Sequence, residues 1–251
     1  MRTELRDQLR SYQRTGYLVV PNGLSEDEVA VINAAIDRDI ATDSPFWTER
    51  ENGHVTLSVH MLLAYEEMDV TMRSPALMPI LEAILGARLC AEEHSVRIRR
   101  PFDGEPYCHW HRDGSGWPDL LRDAPEYTAY VSVVYYLSDV DNTTHTFSVL
   151  PGSGQGRELP ELDRYNLSEA HHIEGVAGTA VIFNAGMFHA GNVRRSCHER
   201  RTIHIYCGRR SALPISNYTI FPRRLTEHED DATRAYYRRP NAITRLRQAA
   251  Y

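Results

Sequence analysis

Lysine is absent from this chain of 251 residues, since all 28 of its Lys and Arg positions hold arginine. An enzyme that forms a Schiff base with its substrate or with pyridoxal phosphate needs a lysine amine, and a P-loop needs a lysine beside the phosphates. The sequence therefore excludes pyridoxal-phosphate enzymes, class I aldolases and P-loop NTPases.

Cysteine is scarce, and long apolar runs are missing. The 4 cysteines form no C-x-x-C pair, which argues against a zinc site built from thiolates and fits a reduced protein. No apolar stretch approaches the roughly 20 residues that cross a bilayer, and the charged N-terminus lacks the apolar core of a signal peptide. The net charge of -6 argues against nucleic acid as a partner. We therefore expect a cytoplasmic protein, a monomer or small homo-oligomer, that binds neither membranes nor nucleic acid.

The segment from about residue 1 to 87 carries mainly helical patterns. A capping box at Ser25 predicts the start of a helix that runs to about Ile40. Ser74-Pro75 predicts an N-cap followed by a proline at the first helical position, and Gly86 stands just past the other end. The predicted elements are a helix over 3–14, a buried strand at Tyr17–Val20, a helix over 25–40 and a helix over 75–85.

From about residue 88 to residue 210 the segments are rich in β-branched and aromatic residues and are separated by Gly, Pro, Asn or Asp. The predicted strands cover 88–100, 107–113, 127–137, 144–150, 179–184 and 200–208. A charged tail over 225–251 follows, which we expect to be helical with a break at Pro240. This arrangement predicts a single domain over 1–251, mainly β with flanking helices, around a jelly-roll or barrel core.

Three residues with metal-ligand chemistry stand in two separate segments. His111 and Asp113 lie two residues apart in a predicted strand, so their side chains would project to the same side. His189 follows another predicted buried strand, where a turn delivers it. Two imidazoles and one carboxylate on one face of an octahedron leave three positions open, an arrangement that suits non-haem Fe(II). An H-x-D triplet alone is weak evidence, because such triplets also arise by chance.

A candidate carboxylate clamp follows the third ligand. Arg200 begins the last predicted strand and shares a face with Thr202. An arginine fork with a nearby hydroxyl suits the distal carboxylate of a 2-oxo acid. Arg201 is the rival on the opposite face, but its neighbours there are apolar, so a solvated charge is the simpler interpretation. His109 shares the face of His111, but that pair supplies no carboxylate, so we place His109 on the substrate side.

Several short segments occur in a definite order along residues 10–225. They are Gly16–Val20, Leu24–Val29, Pro79–Gly86, His111-Arg112-Asp113, Tyr136–Val140, Val149–Ser153, and His189–Asn192 with Arg200. In this order and spacing they resemble the phytanoyl-CoA hydroxylase (phytanoyl-CoA dioxygenase) family of Fe(II)- and 2-oxoglutarate-dependent oxygenases. None of these segments is decisive alone, but together they are specific.

The resemblance implies a double-stranded β-helix (jelly-roll, cupin-like) core that uses Fe(II), 2-oxoglutarate and O₂ and releases succinate and CO₂. It implies that His111, Asp113 and His189 bind iron and that Arg200 with Thr202 binds 2-oxoglutarate. Related halogenases carry a small residue in place of the carboxylate ligand, so Asp113 favours hydroxylation. The expected reaction is oxidation of a C–H bond of a small organic molecule, with natural-product metabolism as one setting.

The substrate is less well defined by these patterns. Glycine stands at 154 where the family usually has histidine, and His145 stands where glycine is common, so substrate identity does not transfer from the family. Candidate substrate residues are His109, Trp117, Tyr130 and Tyr136, although aromatic residues at strand spacing are more often core.

Two other functions remain open at the level of sequence. One is a cupin-like metal- or ligand-binding protein without oxygenase activity, and the other is a non-haem iron enzyme that uses no 2-oxo acid. Neither needs a carboxylate clamp one strand beyond the last ligand, so Arg200 and Thr202 favour the 2-oxoglutarate-dependent enzyme.

Overall fold

The structure is a computed structural model that describes residues 3–113, 128–154, 167–212 and 220–237. Helices and short helical turns pack against one face of its large sheet. Two longer helices stand near the N-terminus, shorter ones follow as far as residue 85, and two more close the described chain. The helices are α1 (Thr3–Thr15), α2 (Glu26–Ala41), α3 (Met61–Ala64), α4 (Asp69–Met72), α5 (Met78–Leu85), α6 (Arg223–Thr226) and α7 (Asp231–Tyr237).

The strands form two antiparallel sheets. They are β1 (Tyr17–Val20), β2 (Thr48–Arg50), β3 (Val55–Ser58), β4 (Leu89–Arg99), β5 (Tyr107–Cys108), β6 (Tyr130–Tyr136), β7 (Thr146–Val149), β8 (His171–Ile173), β9 (Ala180–Asn184), β10 (His189–Val193) and β11 (Arg200–Arg209). The large sheet has the order β1-β9-β6-β11-β4-β3-β2, and the small sheet has the order β5-β10-β7-β8. This is the jelly-roll core with flanking helices that the sequence predicts.

Alternation along the central strands divides the large sheet into two faces. On β11, Ile203, Ile205 and Cys207 pack with apolar residues of the helices in the main core cluster. The residues between them, such as Thr202 and His204, project to the opposite face and line a cavity. Successive side chains of a strand point to opposite sides, so one strand can contribute to the core and to a polar site at once.

A second apolar cluster fills the space between the two sheets. Its members include Val134 and Phe183 from the large sheet and Phe147 and Val149 from the small sheet, all buried. Phe147 contacts Phe183 with ring centroids 4.9 Å apart. This packing holds the sheets together beside the cavity and fixes the position of the strands that line it.

The helix predicted over 75–85 begins later than expected. It runs from Met78 to Leu85, with Pro79 in its first turn, and Gly86 at its C-terminus has φ of 87° as the pattern indicated. Ser74 does not act as its N-cap, because the Ser74 hydroxyl donates to the carbonyl of Gly23 at 2.7 Å. The capping box at Ser25 is confirmed in both directions.

The strand predicted over 107–113 was wrong in its length. Only Tyr107 and Cys108 form ladder pairs, and pairing resumes at a single bridge between His111 and His189. The predicted strand at Tyr17–Val20 is confirmed, and the other predicted strands are observed with ends shifted by a few residues. Strands β2, β3, β8 and β10 were not predicted, because they are short and carry polar residues or glycine. The tail is helical at Arg223–Thr226 and Asp231–Tyr237, and the break predicted at Pro240 lies outside the described residues.

Among the residues described, no helix combines the length and the apolar character that a membrane crossing requires.

Substitution of two glycines with positive φ tests whether the close contact between Gly178 and the start of α2 constrains the fold. Gly178 has φ of 91°, and a Cβ there would lie 2.5 Å from the carbonyl oxygen of Leu24, beside the start of α2. Gly152 has φ of 71°, and a Cβ there would meet nothing within 4 Å. We expect Gly152→Ala to cost about 1–2 kcal/mol from backbone strain. Gly178→Ala should cost about 1–3 kcal/mol more, because the backbone must also move away.

The measurement is urea unfolding of the two variants followed by far-UV circular dichroism, with midpoints compared at equal slope. Equal midpoints for the two variants would show that the contact between Gly178 and Leu24 does not constrain the fold.

Candidate active site

The side chains of His111, Asp113 and His189 converge although they come from separate segments. The backbones of His111 and His189 pair in an antiparallel bridge with N–H···O distances of 3.0 Å in both directions. The amide of Asp113 donates to the carbonyl of Ala185 at 3.1 Å, in the turn that precedes β10. As a result, ligand atoms of the three side chains lie within 4.8 Å of one another.

Hydrogen bonds to backbone carbonyls orient the two imidazoles. Nδ1 of His111 lies 2.9 Å from the carbonyl oxygen of His109, and Nδ1 of His189 lies 3.0 Å from that of Met187. A carbonyl only accepts, so each Nδ1 carries the proton and each Nε2 keeps its lone pair. The Nε2 atoms of His111 and His189 lie 3.7 Å and 3.5 Å from carboxylate oxygens of Asp113. Both rings therefore hold the tautomer that can bind a metal through Nε2.

Burial keeps one of these histidines neutral. His189 is 5% exposed. Burial lowers the pKa of His189 to about 4, although the nearby carboxylate of Asp113 acts in the opposite direction. The neutral imidazole is the form that ligates a metal, so His189 needs no deprotonation at neutral pH to act as a ligand.

Tyr206 supports the carboxylate from the large sheet. Its hydroxyl donates to Oδ2 of Asp113 at 2.6 Å. Burial and the adjacent carboxylate raise the pKa of Tyr206 well above its ordinary value, so the hydroxyl keeps its proton and remains a donor. Strand β11 thus contacts the cluster that the first residue of β10 and the segment after β5 provide.

A cavity of about 270 Å³ connects this cluster to the inner faces of β4 and β11. On β11 the cavity is lined in alternation by Arg200, Thr202, His204 and Tyr206. Tyr206 contacts Asp113, and Arg200 stands at the other end of the row. The polar face of one strand therefore runs from the candidate metal ligands to a guanidinium.

Arg200 is buried and incompletely paired. The side chain is 6% exposed, and its Nε and Nη1 atoms have no hydrogen-bond partner in the described part of the chain. Burial, together with the nearby charges of Arg99 and Arg97, lowers the pKa of Arg200 to about 10, so it remains charged at neutral pH. A buried polar atom without a partner is rare in proteins, and this one fits the carboxylate of a bound 2-oxo acid.

Its neighbour Arg99 is paired within the protein. Glu51 accepts from Nη1 and Nη2 of Arg99 at 2.8 Å and 3.2 Å, and from the hydroxyl of Tyr107 at 2.8 Å. Burial opposes ionisation of Glu51, but the bonds from Arg99 and Tyr107 hold its pKa below the usual range. The Glu51 carboxylate is therefore the internal counter-charge of Arg99.

The predicted site residues are distributed as follows. His109 and Thr202 line the cavity with the three candidate ligands and Arg200. Tyr130 and Tyr136 do not line it within the described residues: both are buried in apolar clusters, and the Tyr136 hydroxyl donates to the carbonyl of Ile173 at 2.8 Å. Trp117 lies outside the described residues.

Arg201, the rival of Arg200, projects to the opposite face of the sheet. It is not simply solvated, because it pairs with Asp37 and Glu199 at 2.7 Å each. Asp37 belongs to α2, so Arg201 ties the helix layer to the sheet.

Several charged residues that line the cavity were not predicted from the sequence. They are Glu51, Glu93, Arg97 and Arg99. For Arg97 and Arg99 a signal exists, since charged residues alternate there with Val96 and Ile98 in a predicted strand. Glu51 has no such signal, because it enters the cavity from a short helical turn outside any predicted element.

The fold and the cavity together define a class of protein. A jelly roll that carries two imidazoles, one carboxylate and an unpaired buried arginine in one cavity is typical of non-haem iron oxygenases of the 2-oxo-acid-dependent type. The chain belongs to the phytanoyl-CoA dioxygenase (PhyH) family, whose model matches residues 12–202. It is an Fe(II)-dependent dioxygenase that uses 2-oxoglutarate and O₂.

Characterised relatives and solved structures are similar over most of the chain. L-proline trans-4-hydroxylase of Streptomyces griseoviridis is 23% identical over 226 aligned positions, and the match covers 75% of this chain and 81% of the relative. Ectoine dioxygenase of Bordetella bronchiseptica is 24% identical over 251 aligned positions, and the match covers 86% of this chain and 80% of the relative.

The same fold is found in solved structures of other enzymes. The epimerase SnoN in complex with Fe³⁺, α-ketoglutarate and nogalamycin RO has a TM-score of 0.67 at 17% identity, with 84% of this chain and 86% of that chain covered. HygX of Streptomyces hygroscopicus with nickel, 2-oxoglutarate and hygromycin B has a TM-score of 0.64 at 17% identity, with 81% and 86% covered. At this identity the likeness shows the fold.

Removal of the Tyr206 hydroxyl tests how the carboxylate of Asp113 is supported. We expect Tyr206→Phe to keep the fold and to weaken Fe(II) binding by about 10- to 100-fold, the range for loss of an outer hydrogen bond to a metal ligand. Anaerobic Fe(II) titration measures the effect, and Tyr136→Phe is the matched control, because its hydroxyl bonds to a carbonyl away from the cluster. Unchanged Fe(II) affinity in Tyr206→Phe would remove Tyr206 from the support of the site.

Proposed function

We propose that His111, Asp113 and His189 bind the iron and that Arg200, with Thr202, binds the distal carboxylate of 2-oxoglutarate. In this proposal residues 1–251 act as one oxygenase domain that hydroxylates a C–H bond of a small organic molecule. The bound metal supplies activation of O₂ coupled to decarboxylation of 2-oxoglutarate, with release of succinate and CO₂.

The residues of the chain have separate tasks in this function. His111 and His189 present Nε2 lone pairs, because each Nδ1 proton is held by a carbonyl. Asp113 contributes the anionic ligand, and Tyr206 fixes its Oδ2. With three protein ligands, a bound Fe(II) would keep open positions for a 2-oxo acid and for O₂.

The strongest support for this proposal is the buried, incompletely paired guanidinium of Arg200. Its guanidinium is buried with two unpaired nitrogen atoms in the cavity that the candidate ligands also line. A buried charge without a partner costs several kcal/mol, and a bound carboxylate offsets that cost through two charge-assisted hydrogen bonds. A cupin-like protein that binds a metal or ligand without oxidising anything would not require this arrangement.

The substrate is a small organic molecule. Relatives of the chain are named for proline and ectoine, and enzymes of the same fold were solved with nogalamycin RO and hygromycin B. The cavity volume of about 270 Å³ lies just below the range for small-molecule sites, roughly 300–1,000 Å³, and in this proposal the same cavity also holds the metal and 2-oxoglutarate. We therefore place the substrate nearer in size to an amino acid than to an antibiotic.

The metal assignment is tested by substitution of each imidazole. His111→Ala and His189→Ala should each weaken Fe(II) binding by more than about 100-fold, since loss of an outer partner alone costs about 10- to 100-fold. His109→Ala is the control for Fe(II) binding alone, because its ring lines the cavity but lies outside the three-residue cluster. Anaerobic Fe(II) titration and 2-oxoglutarate-dependent succinate release are the measurements. If either alanine variant kept full iron binding, the ligand assignment would be wrong.

The 2-oxoglutarate assignment is tested at Arg200. Arg200→Ala should weaken 2-oxoglutarate binding by tens-fold or more, because hydrogen bonds to charged groups contribute roughly 1.5–3 kcal/mol each. Fe(II) binding should change little. Arg200→Lys should restore binding only in part, since an ammonium lacks the planar fork.

Arg201→Ala is the matched control on the same strand. It removes ion pairs with Asp37 and Glu199 on the opposite face, so it should lower stability slightly and leave the dependence of succinate formation on 2-oxoglutarate unchanged. Normal 2-oxoglutarate affinity in Arg200→Ala would place the clamp elsewhere and favour an enzyme that uses no 2-oxo acid.

A further inference from the structure

Arg97 is a second cation in the cavity that the proposed function leaves without a role. It lies on β4, half-buried, and its side chain lines the cavity. Its Nε is buried without a partner, and no ion pair or side-chain hydrogen bond of its guanidinium occurs in the described part of the chain. A partly buried guanidinium usually has a hydrogen-bond partner. Because Arg97 has no partner among the described residues and lines a ligand cavity, we expect its partner to be a ligand.

The other arginines of the cavity wall are accounted for. Arg99 is held by Glu51 through two hydrogen bonds. Arg200 is assigned to the distal carboxylate of 2-oxoglutarate. Arg50 is exposed at the cavity rim. Among the described residues, Arg97 is therefore the inner cation that remains without a partner when the cosubstrate is bound as proposed.

The strand register places Arg97 between the two ends of the site. Its Cα pairs with that of Thr202, whereas Arg99 pairs with Arg200 and Glu93 pairs with Tyr206. Arg97 is thus one step along the sheet from the proposed clamp towards the strand end where Tyr206 contacts Asp113. A molecule held there would lie beside the metal cluster.

The charges of the cavity indicate which ligand Arg97 would accept. Among the described residues, the lining contains four arginines and three carboxylates, namely Arg50, Arg97, Arg99 and Arg200 against Glu51, Glu93 and Asp113. The two positive charges of Fe(II) and the two negative charges of 2-oxoglutarate cancel each other. Within this set of groups one positive charge remains, which a monoanion neutralises and a dianion such as a phosphate ester exceeds.

We infer that the substrate is a small carboxylic acid whose carboxylate is bound by the guanidinium of Arg97. This inference rests on the proposed function, because it assumes that 2-oxoglutarate occupies Arg200. The planar fork of Arg97 matches a carboxylate and fixes which end of the substrate points away from the metal. Arg97 is then a specificity-determining residue for the reaction.

Binding to the loaded protein tests this inference without the need for turnover. The protein is loaded with Ni(II) and saturating 2-oxoglutarate and titrated calorimetrically with three matched pairs: L-proline and L-prolinamide, benzoate and benzamide, and butyrate and butyramide. We expect at least one acid to bind tens-fold more tightly than its amide. Acids that bind no better than their amides in all three pairs would overturn the inference.

Variants then locate the contact. Arg97→Gln should abolish the preference for acid over amide and change the affinity for 2-oxoglutarate by less than about threefold, whereas Arg97→Lys should keep part of the preference. Arg100→Gln is the matched control, because Arg100 is exposed and pairs with Glu49 at 3.2 Å. Circular dichroism melting of each variant checks the fold, and Arg97→Lys retains the charge if Arg97→Gln does not fold.

Two results separate failure of the inference from failure of the proposed function. If Arg97→Gln weakened 2-oxoglutarate binding tens-fold, Arg97 would serve the cosubstrate and the inference would be wrong while the oxygenase assignment stood. If the unaltered protein did not bind 2-oxoglutarate with Ni(II) present, the proposed function would fail, and the inference would fall with it.

Discussion

The burial of a charged guanidinium without a counter-charge is the constraint on which the site depends. Arg200 is 6% exposed, and two of its nitrogen atoms lack a partner within the described residues. Burial of an unpaired ion costs several kcal/mol. The net stability of a typical fold is only about 5–15 kcal/mol, so other interactions must offset the cost of burying Arg200. The apolar face of β11, where Ile203 and Ile205 pack in the main core, provides this stabilisation on the same strand.

The two faces of the large sheet have different roles, and this explains how one sheet positions the residues of the site. Its outer face packs against the helices, and Arg201 ties that face to α2 through Asp37. Its inner face holds the polar row that ends at Tyr206, whose hydroxyl contacts Asp113. Because the two faces belong to the same strands, a shift of register by one residue would exchange core and cavity. Correct folding of β11 and formation of the site are therefore one event.

Much of this could be predicted from sequence, because the informative residues lie in strong local patterns. The spacing of His111 and Asp113 brought two candidate ligands together, and the capping box at Ser25 located the second helix. Alternation in 200–208 separated Arg200 from Arg201, since apolar residues accompany one of them and polar residues the other. The capping box and the alternation need only a local pattern of a helix or a strand. His111 and Asp113 lie beyond the end of β5, and they are held together by the bridge to His189 and the bond to Ala185.

What sequence could not supply depends on contacts between distant segments. Ser74 resembles an N-cap, but its hydroxyl bonds to Gly23, so the helix starts later at Met78. Glu51 reaches Arg99 across 48 residues from a turn with no periodic pattern. Tyr136 has the appearance of a pocket residue, yet its hydroxyl is taken by the carbonyl of Ile173. Only the assembled sheets determine which polar groups remain free, and the free groups define the cavity.

The central claim is that one cavity holds a metal on His111, Asp113 and His189 and a 2-oxo acid on Arg200. A crystal structure of the protein with Ni(II) and 2-oxoglutarate tests this most directly. The account predicts density for the metal at Nε2 of both histidines and a carboxylate oxygen of Asp113, with the distal carboxylate of 2-oxoglutarate on the guanidinium of Arg200. A metal on other ligands, or a distal carboxylate bound away from Arg200, would contradict the account.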